Sequence, residues 1–469
     1  MADPTAQLAV IGAGPGGYAA AFLAADLGMQ VTLVDSDPLP GGVCLHRGCI
    51  PSKALLHAAA LLTEAREASR LGITFSEPMI DVARLRDWKD GVVGKMTRGL
   101  AQLAKARRVT YLQGRARLLD GRTLEVTPAE GEAQRLSFEH AILATGSHPA
   151  LPPALAHDSP RLMDSTAALA LEEVPESLLV VGGGYIGLEL GTVYAALGTR
   201  VTCVEMTGEL LPGADRDLVK ILSRRLRKAF AAIHLETTVT GLEEDDQGLR
   251  VHFDGKGPAE DVFQRVLVAT GRRPRSGDLG LENTSVVVNE HGFVEVDESR
   301  RTAEPTIFAI GDLTGEPMLA HKATHEGLVA VEAIRGRNVV FEPRAIPAVV
   351  FTDPEIAWCG LSETAAEAEN RAVKVTRFPW GASGRATTRA RDDGLTKLLC
   401  DPESGRILGV GIVGAGAGEL IGAGVLAMEM GASAGDVALT IHPHPTLSET
   451  FMEAAELFTG RCTDLPPAR

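Results

Sequence analysis

Cys44 and Cys49 stand in the segment Gly41-Gly42-Val43-Cys44-Leu45-His46-Arg47-Gly48-Cys49-Ile50-Pro51-Ser52-Lys53. Cysteines this close in sequence can close a small-loop disulfide, so thiol–disulfide exchange is the chemistry open to them. Pro51 suits the beginning of a helix, and Ala54–Arg66 is rich in strong helix formers. Cys49 would then lie near a helix N-terminus with Lys53 close by, and both features favour a thiolate. The bland alternative is a pair of inert, packed cysteines; the polar neighbours speak against it. A second constellation is Ile441-His442-Pro443-His444-Pro445-Thr446-Leu447-Ser448-Glu449. It precedes a helical pattern for which Thr446 is a candidate N-cap. If the His-Pro segment folds back, the Glu449 carboxylate can orient the His444 imidazole and steady its imidazolium, as beside a general base. His-x-His could instead ligate a metal, but no third ligand cluster lies nearby, and no metal is expected.

The elements that must position these groups show a duplicated pattern. Leu8–Ile11 is an apolar strand, followed by Gly12-Ala13-Gly14-Pro15-Gly16-Gly17, an Ala-rich helix, and the strand Val31–Val34 ending on Asp35. The same order recurs as Leu178–Val181, Gly182-Gly183-Gly184-Tyr185-Ile186-Gly187, a helix, and Val201–Val204 ending on Glu205. In both, the acid stands 23 residues after the first glycine. A lone Gly-x-Gly-x-x-Gly is weak evidence; two with matched context and spacing point to two dinucleotide sites. Gly12 and Gly182 would permit the tight turn, Gly14 and Gly184 the approach of a pyrophosphate, and Gly17 and Gly187 helix–strand packing. Asp35 and Glu205 would accept from ribose hydroxyls. A carboxylate repels a 2′-phosphate, so Glu205, followed by Met206 and Thr207 rather than Arg, selects NAD over NADP.

Each unit closes on a buried strand running into Ala-Thr-Gly, ending at Gly146 and at Gly271. The strand Thr306–Ile310 then leads to Gly311-Asp312. The second unit is therefore read as inserted into the first, with crossings near residues 147 and 275. Beyond about Ile346 the pattern changes to strand-like segments at Ala348–Phe351, Val373–Phe378, Leu395–Cys400 and Ile407–Val413, with helices near Gly418–Met430 and Thr446–Phe458. The expected fold class is α/β, with two Rossmann-like dinucleotide-binding domains and a C-terminal α+β domain. The expected limits are 1–146 with 275–345, then 147–274, then 346–469.

Composition narrows the classes. The 469 residues carry 46 Lys and Arg against 61 Asp and Glu, a net charge of −15, which disfavours nucleic acid and anionic membrane as partners. No apolar run is long enough to span a bilayer, and the N-terminus has no basic, apolar leader pattern. A cytoplasmic protein is expected. Six cysteines in this length do not make a disulfide scaffold, and Cys203, Cys359 and Cys400 read as core.

At GGVCLHRGCIPSK, GGGYIGLELGTVYAALG, IFAIGDLTGEPMLAHKATHEG and HPHPTLSE the chain resembles the pyridine nucleotide–disulfide oxidoreductases. Among them it is most similar to the branch that oxidises dihydrolipoamide. The resemblance runs from Leu8 to about Leu465 and implies FAD at the first site and NAD at the second. It implies that Cys44 is the interchange thiol and Cys49 the charge-transfer thiol, and that Lys53 and Glu189 form the ion pair near the flavin. It implies a ribitol contact at Asp312 and a backbone contact to the flavin ring at Ala320. Shorter matches imply FAD adenine contact at Ala116, NAD adenine contact at Val239, and an NAD-side turn at Gly271-Arg272. Gly146 belongs to the FAD-side turn. Members are homodimers joined through the C-terminal domain, so His444 and Glu449 would complete the partner's site. The implied activity is oxidation of protein-bound dihydrolipoamide with NAD⁺ through a Cys44–Cys49 disulfide. The implied partners are lipoyl domains with the E2-type core of 2-oxoacid dehydrogenase complexes, or the glycine cleavage H protein. One departure is His46-Arg47 where relatives usually have Asn-Val; two basic groups there could favour the thiolate or alter substrate access.

Overall fold

The structure, a computed structural model, describes residues 5–466. Continuous apolar runs become strands covered on both faces, as a parallel sheet requires. β1 (Thr5–Ile11) and β2 (Val31–Asp35) pair in parallel with Leu8 opposite Val31, and α1 (Pro15–Asp26) crosses between them. α2 (Gly42–Arg47), α3 (Cys49–Glu67) and α4 (Val82–Ala106) lead to β3 (Thr110–Gln113), which extends the sheet beside β2. β4 (Arg115–Asp120) and β5 (Thr123–Thr127) are antiparallel, and β6 (Gln134–Leu143) returns parallel to β1 with Val10 opposite Ile142.

The chain leaves this sheet through β7 (Ser147–Pro149). The second unit runs β8 (Leu162–Met163), α5 (Ser165–Ala170), β9 (Ser177–Val181), α6 (Tyr185–Leu197), β10 (Arg200–Val204), α7 (Arg216–Ala229) and β11 (Ala232–His234). Then come β12 (Thr237–Asp245), β13 (Gly248–Gly255), β14 (Glu260–Phe263) and β15 (Arg265–Val268). Its parallel sheet has the order β11-β10-β9-β15-β8, and β12-β13-β14 form a separate antiparallel sheet. β16 (Arg272–Pro274) pairs antiparallel with β7, so the two crossings form one ribbon. β17 (Ile307–Ala309) rejoins the first sheet beside β6, and α8 (Ala320–Ile334) packs on α1.

The C-terminal unit is a five-stranded antiparallel sheet with the order β18 (Ala348–Val350), β19 (Glu355–Gly360), β22 (Ile407–Gly414), β21 (Leu395–Cys400), β20 (Lys374–Pro379). Around it lie α9 (Glu363–Ala368), α10 (Gly384–Thr388), α11 (Ala417–Glu429), α12 (Ala434–Leu439) and α13 (Glu449–Thr459). This is the α/β architecture with two dinucleotide folds and an α+β third unit. Cys203, Cys359 and Cys400 are buried in its cores. Two details differ from the sequence reading. α3 begins at Cys49 rather than at Pro51, and α13 begins at Glu449 after Ser448, so Thr446 is not its N-cap. The fully buried Lys397 Nζ sits among Asp215 (2.6 Å), Asp217 (2.8 Å) and Glu363 (2.7 Å) and ties the second unit to the third. That ammonium occupies the one carboxylate cluster with metal-like spacing among the described residues.

Candidate functional site

Both glycine turns open a helix whose first N–H groups have no side-chain cap, with Gly14 and Gly184 at the N-cap positions. Such an end satisfies its orphan donors with an anion. Gly17 is required by close approach: a Cβ there would stand 1.8 Å from Gly12 O. Gly187 repeats this against Gly182 O at 2.3 Å. The acids repeat too. Asp35 Oδ2 accepts from Ala13 N at 2.5 Å and Oδ1 from Asp37 N at 2.9 Å. Glu205 Oε2 accepts from Gly183 N at 2.7 Å, and Oε1 accepts from Thr207 N and Thr207 Oγ1, both at 2.9 Å. Each carboxylate braces its own turn and retains lone pairs for a ribose.

Later chain crosses both turns: Leu211 N donates to Gly183 O at 3.0 Å over the second, and the cysteine segment crosses the first. Gly41 N donates to Ala13 O at 2.8 Å, and Gly42, at φ +57°, lies so close to Gly14 that a Cβ would be 2.5 Å from its Cα. The segment Gly41–Lys53 thereby folds across the turn and lines one cleft with it. Gly12, Gly14 and Asp35 share that cleft with Cys44, Cys49, Lys53 and Glu189. Gly146, Arg272, Asp312 and Ala320 line it as well. Ala320 is the first residue of α8, another helix start with no side-chain cap. A long cleft with uncapped helix starts, a ribose-side carboxylate and two thiols fits FAD.

Cys44 lies in α2 and Cys49 opens α3, and the two are free thiols. The Cys49 pKa is lowered to about 7, first because the Cys44 thiol hydrogen-bonds to its sulfur, with the Lys53 ammonium adding to this and burial opposing it. Cys44 moves the other way, through the same hydrogen bond and burial. The Cys44 hydrogen bond and the Lys53 charge thus both favour the ionised form of Cys49. Lys53 Nζ donates to Glu189 Oε2 at 2.9 Å, and Ser52 Oγ donates to the same oxygen at 3.0 Å. Glu189 Oε1 accepts from Phe351 N at 3.0 Å. Ser52 and Phe351 were not singled out in the sequence; the first stood beside Lys53, whereas only folding brings the second near.

Asp312 Oδ2 accepts from Ser147 Oγ at 2.5 Å, and Arg272 donates to Ser147 Oγ and O at 2.7 and 2.9 Å. The chain crossing thus positions Asp312, and Arg272 faces the first cleft rather than standing only as part of an NAD-side turn. Gly311 N is anchored on Glu326 Oε2 at 2.6 Å, and the fully buried Glu326 is neutralised by Arg300 (3.1 Å) and Lys322 (3.2 Å). Gly146 and Gly271 both take positive φ, at +71° and +136°. Ala116 is half-buried in β4. The Val239 side chain is buried in the core of the second unit, leaving its backbone for any ligand contact. His46 and Arg47, which the sequence left either favouring the thiolate or altering substrate access, both have partners of their own. His46 Nε2 meets Leu39 O at 2.9 Å, and Arg47 binds Asp37 at 2.5 Å.

His444 Nδ1 meets Glu449 Oε1 at 2.9 Å, and Glu449 Oε2 accepts from Thr446 N at 2.7 Å. Two anchored oxygens fix the carboxylate, and with Nδ1 held the imidazole presents Nε2. The His444 side chain is 80% exposed and lies outside the lining of its own chain's cysteine cleft.

These features define a flavin- and nicotinamide-dependent disulfide enzyme. The pyridine nucleotide-disulphide oxidoreductase pattern matches residues 6–327, and the dimerisation domain of the same family matches residues 346–455. The chain belongs to this family, and its cofactors are FAD and NAD. It is 48% identical over 464 residues to the dihydrolipoyl dehydrogenase of Haemophilus influenzae, covering 99% of this chain and 97% of that one. It is 45% identical to the dihydrolipoyl dehydrogenase of Geobacillus stearothermophilus, covering 96% of each. Among solved structures it is similar to LpdA of Mycobacterium tuberculosis (TM-score 0.90, 27% identity), covering 97% of this chain and 99% of that one. It is also similar to the HOCl-induced flavoprotein disulfide reductase RclA of Escherichia coli (TM-score 0.85, 26% identity), covering 97% and 99%. No helix among the described residues is long and apolar enough to cross a membrane.

Proposed function

We propose that the chain oxidises protein-bound dihydrolipoamide to lipoamide with NAD⁺ as acceptor. The observation that carries this is the shared cleft: an exchange thiol, a thiolate of lowered pKa and an uncapped dinucleotide turn in one space. FAD, when bound there, supplies the two-electron chemistry that links the dithiol to NAD⁺. In the oxidised enzyme Cys44 and Cys49 are joined as a disulfide. The partner's His444 takes a proton at Nε2 from one substrate thiol, and Glu449 steadies the imidazolium. The substrate thiolate attacks Cys44 Sγ; the Cys44–Cys49 bond breaks, and Cys49 leaves as the thiolate that Lys53 favours. The partner's His444 releases the first proton to solvent and takes that of the second substrate thiol, whose sulfur attacks the substrate sulfur of the mixed disulfide. Lipoamide closes, and Cys44 leaves with its proton returned by His444. The substrate has lost two electrons and the cysteine pair has gained them.

The same reading makes the protein a cytoplasmic homodimer, with the roles given above to Lys53, Glu189, Asp312, Ala320, Ala116 and Val239 toward the cofactors. Support for the dimer lies in the C-terminal unit, which exposes Leu439 (80%) and Ile441 (95%) beside the His444 segment. The acyl-carrying partners would be lipoyl domains with the E2-type core of 2-oxoacid dehydrogenase complexes, or the glycine cleavage H protein. The purified flavoprotein should form NADH from dihydrolipoamide and NAD⁺. No NADH from dihydrolipoamide, with NADH still reducing artificial acceptors, would overturn the assignment. Mixing Cys44→Ser and His444→Ala subunits should restore turnover through the one intact site of a mixed dimer. Proven heterodimers without activity would place the base elsewhere.

A further inference from the structure

The Lys53–Glu189 pair has a third member, and it comes from another domain. Phe351 directly follows β18, yet its N–H holds Glu189 Oε1 at 3.0 Å and its ring faces Lys53 Nζ at 4.5 Å from the centroid. Glu189 is 3% exposed, and its two oxygens are divided between helix α3 and Phe351. A buried carboxylate with one oxygen unpartnered would be costly; the Phe351 amide removes that cost. The ring does something a carboxylate could not: it holds an ammonium in place without cancelling its charge. Phe351 is itself fixed. Its ring edge lies at ordinary contact, 3.4 Å, from where a Cβ of Gly418 at the start of α11 would stand. Two residues on, Asp353 is bound by Arg391 and by Arg225 of α7 at 3.1 Å. Arg225 also reaches Glu67 at the end of α3, the helix that begins with Cys49. The segment after β18 is thus gripped by all three units.

We propose that Phe351 is a positioning residue through which the C-terminal domain holds the Lys53–Glu189 pair, so that the Lys53 charge bears on Cys49. The proposal rests on reading Cys49 as the flavin-side thiol. Phe351→Leu keeps the backbone N–H and the apolar bulk but removes the aromatic face, and Phe351→Tyr keeps all three. The readout is the ultraviolet thiolate absorbance of the reduced, FAD-containing dimer against pH, with Cys49→Ser as the blank. In F351L the Cys49 midpoint should move to higher pH, because a loosened ammonium bears less on the sulfur. Its kcat for dihydrolipoamide should fall about two- to fivefold with KM little changed. F351Y should stay near the unmodified enzyme, and in a Lys53→Met background F351L should shift the midpoint no further. An unmoved midpoint in F351L overturns the proposal, as does an equal shift in F351Y or a shift that persists without Lys53. Should F351L fail to fold, Phe351→Met serves in its place; failure of both beside a normal F351Y would mean a packing role only, and overturn it. The titration stays readable if dihydrolipoamide proves not to be the substrate, so the two failures are distinguishable.

Discussion

The two glycine turns are alike to a few tenths of an ångström in their bracing and unlike in what covers them. Gly12 N donates to Val34 O at 2.8 Å and Gly182 N to Val204 O at 2.9 Å, and each acid accepts from the residue after that glycine. Over the first, the Gly42 backbone packs so close that a Cβ on it would stand 2.5 Å from Gly14 Cα; over the second, Leu211 N donates to Gly183 O at 3.0 Å and a Cβ on Gly184 would meet nothing within 4 Å. One turn is built into the cysteine cleft by the redox segment; the other is crossed by Leu210 and Leu211 and its glycines lie outside that cleft. A turn inside the cleft suits a group that stays through many turnovers, and a turn outside it suits one that must enter and leave each cycle. The same local device thus serves a prosthetic group or a co-substrate according to what the next segment of chain does.

Removing either sulfur should affect only the site in the cysteine cleft, and gives the largest effect. Cys44→Ser and Cys49→Ser should each lose dihydrolipoamide turnover by about a thousandfold or more, since neither can form the disulfide. Both should keep NADH-dependent reduction of artificial acceptors, which needs no sulfur. Near-normal lipoamide activity in either variant would reduce the pair to packing cysteines. The roof itself is next. Gly42→Ala combines positive φ with a backbone clash and should weaken FAD retention at least about tenfold, read as flavin bound after gel filtration. Gly184→Ala should leave FAD content and Tm unchanged and raise the KM for NADH, because its methyl would occupy ligand space only. If both variants lost FAD equally, the cover given by the redox segment would not be the distinction that matters.

A smaller effect separates the two acids. Glu205 places a carboxylate at the second turn, where it would repel the 2′-phosphate of a nucleotide bound there, so NADH should be strongly preferred to NADPH. Glu205→Arg should narrow or reverse that preference by about one to two orders of magnitude in kcat/KM. It also removes the brace on Gly183 N, so some loss with NADH is expected. Equal use of both nucleotides by the unmodified enzyme would sink the argument from charge.

Both turns were legible in the sequence because their requirements are local. A glycine is needed where a Cβ would strike the turn's own carbonyl, and an acid is needed one strand later. The cysteine pair was legible for the same reason, and His444 with Glu449 lay within one turn of chain. What was hidden depends on pairs far apart in sequence. Phe351 reaches Glu189 across 162 residues, and Ser147 reaches Asp312 across 165. Neither Phe nor Ser announces such a role by type. Glu326 was hidden differently: as one acid within a helix it looks like an exposed residue, and only burial beside Arg300 and Lys322 shows that it anchors the Gly311 turn. At His46-Arg47 residue type carried charge but not direction, and folding engages both with the stretch Asp37–Leu39.

The Arg47 contact supplies the smallest and sharpest test of how the roof is attached. Arg47 ends α2 and binds Asp37, just beyond the strand that carries Asp35, while His46 meets Leu39 in the same stretch. These contacts tie the roof to the far side of the turn that it covers. The groups that act most on Cys49 are Cys44, its own helix start, Lys53 and Glu189. Because the Cys49 pKa is lowered on folding, its thiolate stabilises the reduced enzyme most above the ordinary thiol range, and that contribution fades as pH falls through about 7. Arg47→Met should leave the Cys49 midpoint in place, in contrast to F351L. It should lower Tm only slightly, since the Arg47–Asp37 pair is partly exposed and worth about 0.5–1 kcal/mol. A midpoint that climbs in Arg47→Met would mean that its charge does reach the thiols, and that the roof is an electrostatic element as well as a steric one.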